Sequence, residues 1–111
     1  MPFYLLQVAY TPESFKAMIA NPTDRKAAAD KVAGAVGAKV TQFFFAFGKY
    51  DAILIVEAPN DSAVAGAMMA VAASGGFSGG ETTKLLTSEE AMAAIKIGAK
   101  VTAAGYRAPT A

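Results

Sequence analysis

Apolar side chains crowd two adjoining stretches, Phe43, Phe44, Phe45 and Phe47 before Gly48-Lys49, and Ile53, Leu54, Ile55 and Val56 after it. Consecutive strand residues point to opposite faces, so a hairpin over 41–58 is apolar on both faces. Glycine at the first central position suits a two-residue type II′ turn on Gly48-Lys49. A sheet of this kind needs a cover on each side. The segment Phe3–Tyr10 is a further strand, apolar on both faces apart from Gln7.

The remaining pattern is helical with clear punctuation. Thr11 as N-cap, Pro12 at the first helical position and Glu13 in the first turn open a helix, and Phe15, Met18 and Ile19 form its inward stripe. Asn21-Pro22 interrupts it, because a residue before proline avoids helical geometry. Thr23 caps a second segment to Val36, with Ala28, Val32, Ala35 and Val36 inward and Lys31 outward, and Gly37 closes it in the left-handed region. Asn60 caps a helix over 61–74, apolar nearly all round and therefore expected to be buried on more than one side, with Gly66 marking a close backbone approach. The Gly/Ser stretch 74–80 reads as a flexible loop and 81–87 as a polar edge strand. Thr87 to Glu90 fits a capping box that opens a last helix to about Thr102, with Met92, Ile95 and Ala99 as its stripe and Lys96 and Lys100 near its end. Residues 103–111 read as a tail.

The order is β-α-β-β-α-β plus a C-terminal helix, an α+β chain of ferredoxin-like arrangement. Right-handed crossovers put both connecting helices on one sheet face. The other face needs either the C-terminal helix or a second copy of the chain. A narrow stripe does not cover four strands, so the pattern predicts a homodimer with two sheets packed roughly 10 Å apart.

Composition sharpens this picture. At 111 residues the chain is a single domain over 1–111, with 54% hydrophobic and only 17% charged residues, few charges to coat a small monomer. Net charge is +1 with no basic run, which predicts no nucleic-acid partner. Cysteine and histidine are absent, which excludes disulfides, thiolate nucleophiles, Cys/His zinc sites and histidine-ligated haem. The dispersed carboxylates predict no metal site, and no cofactor is expected. No apolar run approaches a membrane span and Met1-Pro2-Phe3 lacks a basic leader, so a cytoplasmic location without membrane attachment is the expectation.

Gly48-Lys49-Tyr50-Asp51 after an aromatic strand resembles the motif that names the GYD domain family. Tyr4-Leu5-Leu6 through Tyr10-Thr11-Pro12-Glu13, and Thr83 to Glu90, carry the same likeness, which spans residues 3 to 95. Members are small bacterial or archaeal proteins without an assigned activity. The resemblance implies a dimeric α/β barrel. Lys49 departs from it at a position more often acidic. The hairpin is also similar to that in the ligand domain of leucine-responsive regulators, whose DNA-binding helices this chain lacks.

With Gly48 and Lys49 as loop residues, Phe43, Phe45, Phe47, Tyr50, Ala52, Leu54 and Val56 share the face toward the crossover helices. Gln42, Phe44, Ala46, Asp51, Ile53, Ile55 and Glu57 share the inter-sheet face, where a pocket satisfies polar groups. Asp51 is the candidate proton acceptor, against the plainer reading that its oxygens take turn amide hydrogens. Tyr50 either donates to a bound oxygen or packs on Phe47. Gln7, Gln42 and Glu57 are candidate pocket groups, or else polar residues satisfied at strand ends. These residues support a homodimeric module binding a small, largely apolar or aromatic molecule between the sheets. The alternatives are a cofactor-free isomerase or monooxygenase-like enzyme using Asp51, and a structural or assembly protein whose small-residue helices pack dimers into a higher homo-oligomer.

Overall fold

The computed structural model describes residues 1–110, so the last residue of the expected tail, Ala111, lies outside the described residues. The elements are β1 (Phe3–Tyr10), α1 (Pro12–Ala20), α2 (Arg25–Ala35), β2 (Lys39–Phe45), β3 (Ala52–Glu57), α3 (Asp61–Ala73), β4 (Phe77–Leu85) and α4 (Ser88–Ala103). The four strands form one antiparallel sheet in the order β2-β3-β1-β4. That order, with two crossovers each carrying helix, is the ferredoxin-like arrangement expected from the pattern.

Alternation along the central strands sorts the sheet into two faces. Tyr4, Leu6, Val8 and Tyr10 of β1 and Ala52, Leu54 and Val56 of β3 are buried, and they form the core with Ala33 of α2 and Val64 of α3. Their neighbours Phe3, Leu5, Gln7, Ala9, Ile53, Ile55 and Glu57 are half-buried on the opposite face. Two bulges adjust this alternation. Between Val40 and Gln42 the register shifts, which turns Val40 into the core opposite Val56 and leaves Thr41 to donate its hydroxyl to the Ile55 carbonyl at 2.9 Å. Between Ala9 and Tyr10 a second shift skips Ser78 and stacks Phe77 on Tyr10, with centroids 4.8 Å apart.

Helix caps follow the sequence closely. The Thr11, Asn60 and Thr87 side chains each accept an amide hydrogen of the first turn, and Thr87 with Glu90 completes the capping box. The Thr87 amide donates to Glu90, which holds that carboxyl below its usual range. At α2 the cap is Asp24, not Thr23, because its carboxylate accepts from both Lys26 and Ala27. Gly37 ends the turn at φ +72°, as expected of a left-handed closing residue.

Several expectations are corrected. The turn between β2 and β3 spans Ala46–Asp51, not two residues, and Gly48 does not take positive φ. Phe47 and Tyr50 therefore do not pair, and Phe47 is fully exposed. The Gly/Ser stretch is not wholly loop, since Phe77 to Gly80 belong to β4. On α2 it is Ala33 that is buried, while Val32 and Ala35 are exposed. α3 buries Val64 alone, and Gly66 has open space where a Cβ would stand. Its small side chains cannot reach the sheet around their whole circumference, so burial is one-sided.

Those short side chains leave a hollow. Between the buried sheet face and the alanine-rich sides of α2 and α3 lies a cavity of about 360 Å³. α4 makes no extended contact with any strand, so among the described residues it leaves the far sheet face open. α4 buries none of its residues, and Met92, Ile95, Ile97 and Val101 are all exposed. The chain measures 61 × 33 × 22 Å with a radius of gyration of 18.0 Å, against roughly 13 Å for a compact domain near this length.

Glycine in β4 gives a test of this packing. A Cβ at Gly80 would lie 3.0 Å from the Gln7 carbonyl oxygen and 3.4 Å from Val8 Cγ1, whereas one at Gly79 meets nothing within 4 Å. Gly80→Ala should lower unfolding stability by about 1–3 kcal/mol through overpacking. Gly79→Ala should be neutral or slightly stabilising, and urea denaturation of the two variants reads the difference.

Candidate functional site

The sheet face without a cover holds most of the polar residues singled out in the sequence. Pairing places Gln7 of β1 between Ile53 of β3 and Glu81 of β4, so the three share that face in one row. The Tyr50 hydroxyl donates to Glu81 Oε2 at 3.1 Å, and Lys49 Nζ stands 5.5 Å from the Tyr50 ring centroid. Tyr50 thus reaches toward the open face rather than packing on Phe47 among the helix-facing residues. Gln7, Tyr50 and Glu81 make a polar group set among Leu5, Ile53 and Ile55.

The other candidates lie apart. Gln42 pairs with Ile55 on the edge strand β2. Glu57 pairs with Phe3 and Lys39 at the far end of the sheet, four residues along β3 from Ile53 and so roughly 13 Å away. Both face the open side.

Asp51 has a different environment. Its Oδ2 accepts the Tyr10 amide hydrogen at 2.9 Å, its own amide donates to the Val8 carbonyl at 2.8 Å, and its carbonyl accepts from Ala46 at 2.9 Å. These three bonds close the 46–51 loop and clamp it to the end of β1. The carboxylate supports the turn reading in a modified form: it captures an amide of the neighbouring strand, not one of its own hairpin. The strands set this geometry, because Val8 pairs with Ala52 and the chain before Ala52 must follow β1.

Sequence reasoning passed over a second polar cluster, on the helix side. Tyr4 donates to Asp61 Oδ1 at 2.5 Å, and Lys84 Nζ sits 3.1 Å from the same oxygen. Tyr4 is on β1, Lys84 pairs with it from β4, and Asp61 opens α3. Asp61 is thus tied to two strands and complements the start of its own helix. The hydrogen bond to Asp61, aided by burial, pushes the Tyr4 phenol up to about 12, and the Tyr4 and Lys84 contacts hold the Asp61 carboxyl below its usual range. The signal was present in topology alone: in this fold β1 and β4 are neighbours, and the helix before β4 starts above them.

Among the described residues no group of three or more Asp and Glu is placed to hold a metal ion. No described helix is long and apolar enough to cross a membrane. The site residues are therefore amides, a phenol and carboxylates on an apolar sheet, able to hydrogen-bond a small molecule.

The Tyr4–Asp61 bond makes stability depend on pH at both extremes. Tyr4 loses its proton near 10 when unfolded and near 12 when folded, so its contribution is complete below pH 10 and disappears as pH rises from about 10 to about 12. Asp61 is lowered from 3.8, so its contribution is complete above that value and is lost as pH falls through the folded pKa. Thermal unfolding of the native protein and Tyr4→Phe should differ most between pH 5 and 9. The gap should narrow in strong alkali and in strong acid, and a constant gap would show that the hydrogen bond contributes nothing.

Comparison with known proteins adds the family. Curated proteins give no match. A solved structure titled "crystal structure of FFRP-DM1" is similar at TM-score 0.49 and 13% identity, covering 78% of this chain and all of that one. The sequence model of the GYD domain matches residues 4–95. That match runs from the first strand into the last helix, and the chain belongs to the GYD domain family.

Proposed function

We propose that the chain works as a homodimeric binding module, in which two copies face their open sheets toward each other and hold a small, largely apolar or aromatic molecule between them. The observation that carries this reading is the uncovered sheet face itself. Leu5, Ile53 and Ile55 stand there half-buried at the centre, and Phe44 is 60% exposed toward one edge. A contiguous apolar surface of this kind marks an interaction site. A second sheet packed at roughly 10 Å covers a face of this kind.

The polar row supplies the specificity. Gln7 offers both donors and an acceptor, and Tyr50 with Glu81 is already a bonded pair. In an otherwise apolar space such groups orient a ligand that carries one or two polar atoms. Gln42 and Glu57 lie toward the margins of the same face and act there as a polar rim. The exposed stripe of α4, Met92 and Ile95 with it, extends the contact by reaching over the partner. No specific observation favours chemistry at Asp51, whose carboxylate is occupied in joining the loop to β1. A cytoplasmic setting fits a chain of this composition.

Ile55→Glu places a charge on the open sheet face, at the contact proposed between copies. Sedimentation velocity at tens of micromolar should give a dimer for the native protein and a monomer for Ile55→Glu. A thermal-shift screen with aromatic acids, amino acids and quinols should raise the native melting temperature for at least one class. Gln7→Leu should weaken that ligand by about tenfold, the cost of one lost hydrogen bond to a buried polar group. A native monomer with its own α4 folded over the sheet would end this reading.

A further inference from the structure

The hollow on the other side of the sheet has a chemistry of its own. Its floor is the buried face of β1 and β3, including Leu6, Val8 and Leu54, and its roof is α2 and α3. At about 360 Å³ it lies within the usual range of small-molecule sites, roughly 300–1,000 Å³. Almost the whole lining is aliphatic or aromatic. Arg25, at the start of α2, is the single charged residue on it, and Tyr10 and Ser74 are the remaining polar ones.

Among the described residues, Arg25 Nε is the one buried side-chain polar atom without a hydrogen-bond partner. Its Nε is shut off from solvent and meets no hydrogen-bond acceptor among the described residues. No described carboxylate lies within ion-pair distance of it, since the ion pairs formed are Lys26–Asp30 and Lys84–Asp61. A buried donor of a charged group left in this state is costly, and natural structures supply an acceptor for it. Arg25 sits on the boundary between the hollow and a second depression of about 390 Å³, and Tyr10, Ser74 and Phe77 line both. Arg25 thus stands where the two spaces meet.

We infer that the space between the sheet and helices α2 and α3 binds a small carboxylate with an apolar body, the body filling the hollow and the carboxylate capping Arg25. A guanidinium presents paired donors that match a carboxylate. One cation without a second charge or a cradle of backbone amides suits a singly charged head rather than a phosphate dianion. The alanines of α2 and α3 then have a purpose beyond loose packing: Ala29, Ala33 and Ala67 leave room that leucine would occupy. This site lies within one protomer and on the face opposite the proposed dimer contact, so it stands or falls independently of that reading.

Decanoate, decan-1-ol and decylammonium test it by calorimetric titration of the full chain. Decanoate should bind at least about tenfold more tightly than the alcohol, and decylammonium should not bind measurably. Arg25→Gln should remove the preference for decanoate over the alcohol, and Arg25→Lys should keep part of it. Ala67→Leu should abolish binding of both by filling the hollow. Methyl chemical shifts locate the ligand: decanoate should move Ala33, Val64 and Met68 and leave Ile53 and Ile55 unmoved. Absence of decanoate binding, equal affinity for acid and alcohol, unchanged binding in Arg25→Gln, or shifts confined to Ile53 and Ile55 would each overturn the assignment.

Discussion

The structure depends on a sheet that is apolar on both faces and has helices for only one of them. β1 and β3, at the centre, alternate buried residues against half-buried ones, yet the half-buried set includes Phe3, Leu5, Ile53 and Ile55. Burial of each such side chain is worth about 1.5–3 kcal/mol. Within one chain that contribution is only partly realised. The same is true of α4, whose capping box is complete but whose apolar side chains touch little. Local signals make the helix; among the described residues none of its side chains is buried. In the proposed dimer, one interaction between copies meets both shortages at once.

On the covered face the shortage is of volume, not of surface. α2 and α3 are built from alanine, glycine and a few larger residues, so they approach the sheet without filling the space above it. Tyr10 and Phe77 wall one end through their stacked rings, with Phe15 packing edge-on against Tyr10 at 5.6 Å. Protein interiors normally leave few voids larger than water. A hollow of this size beside an unpaired guanidinium is therefore a feature of composition, set by which residues the helices do not carry.

Polar groups in this protein mostly act as ties between elements. Asp51 joins the β2–β3 loop to β1, Tyr4 and Lys84 join the start of α3 to the sheet, and Ser14 donates to the Gly76 carbonyl at 2.7 Å, joining α1 to the segment before β4. Each tie crosses more than forty residues of chain or links separate elements, so each secures topology rather than a local turn. The open-face set contains one more such tie, the Tyr50–Glu81 bond from the 46–51 loop to β4, with Gln7 beside Glu81 in the same row.

Much of this is legible in the sequence. Continuous apolar runs, greasy on both faces, marked β1 and β3, Thr11, Asn60 and Thr87 marked helix starts, and the order of elements implied the sheet. Even the hairpin register was readable: a tight turn on Gly48-Lys49 pairs Phe45 with Ala52, and so does the wider loop that forms. What the local pattern could not reveal was that Asp51 turns its amide to Val8, which peels Phe47 and Tyr50 apart. That bond needs β1, distant in sequence, at its side. The bulges at Thr41 and Ser78, the meeting of Tyr50 with Glu81, and the isolation of Arg25 are likewise products of which strands and helices end up adjacent. Local periodicity determines what each segment is, because side-chain alternation and capping act over a few residues. Tertiary contact decides which polar groups find partners and where space is left, because those outcomes belong to pairs of segments and not to either one.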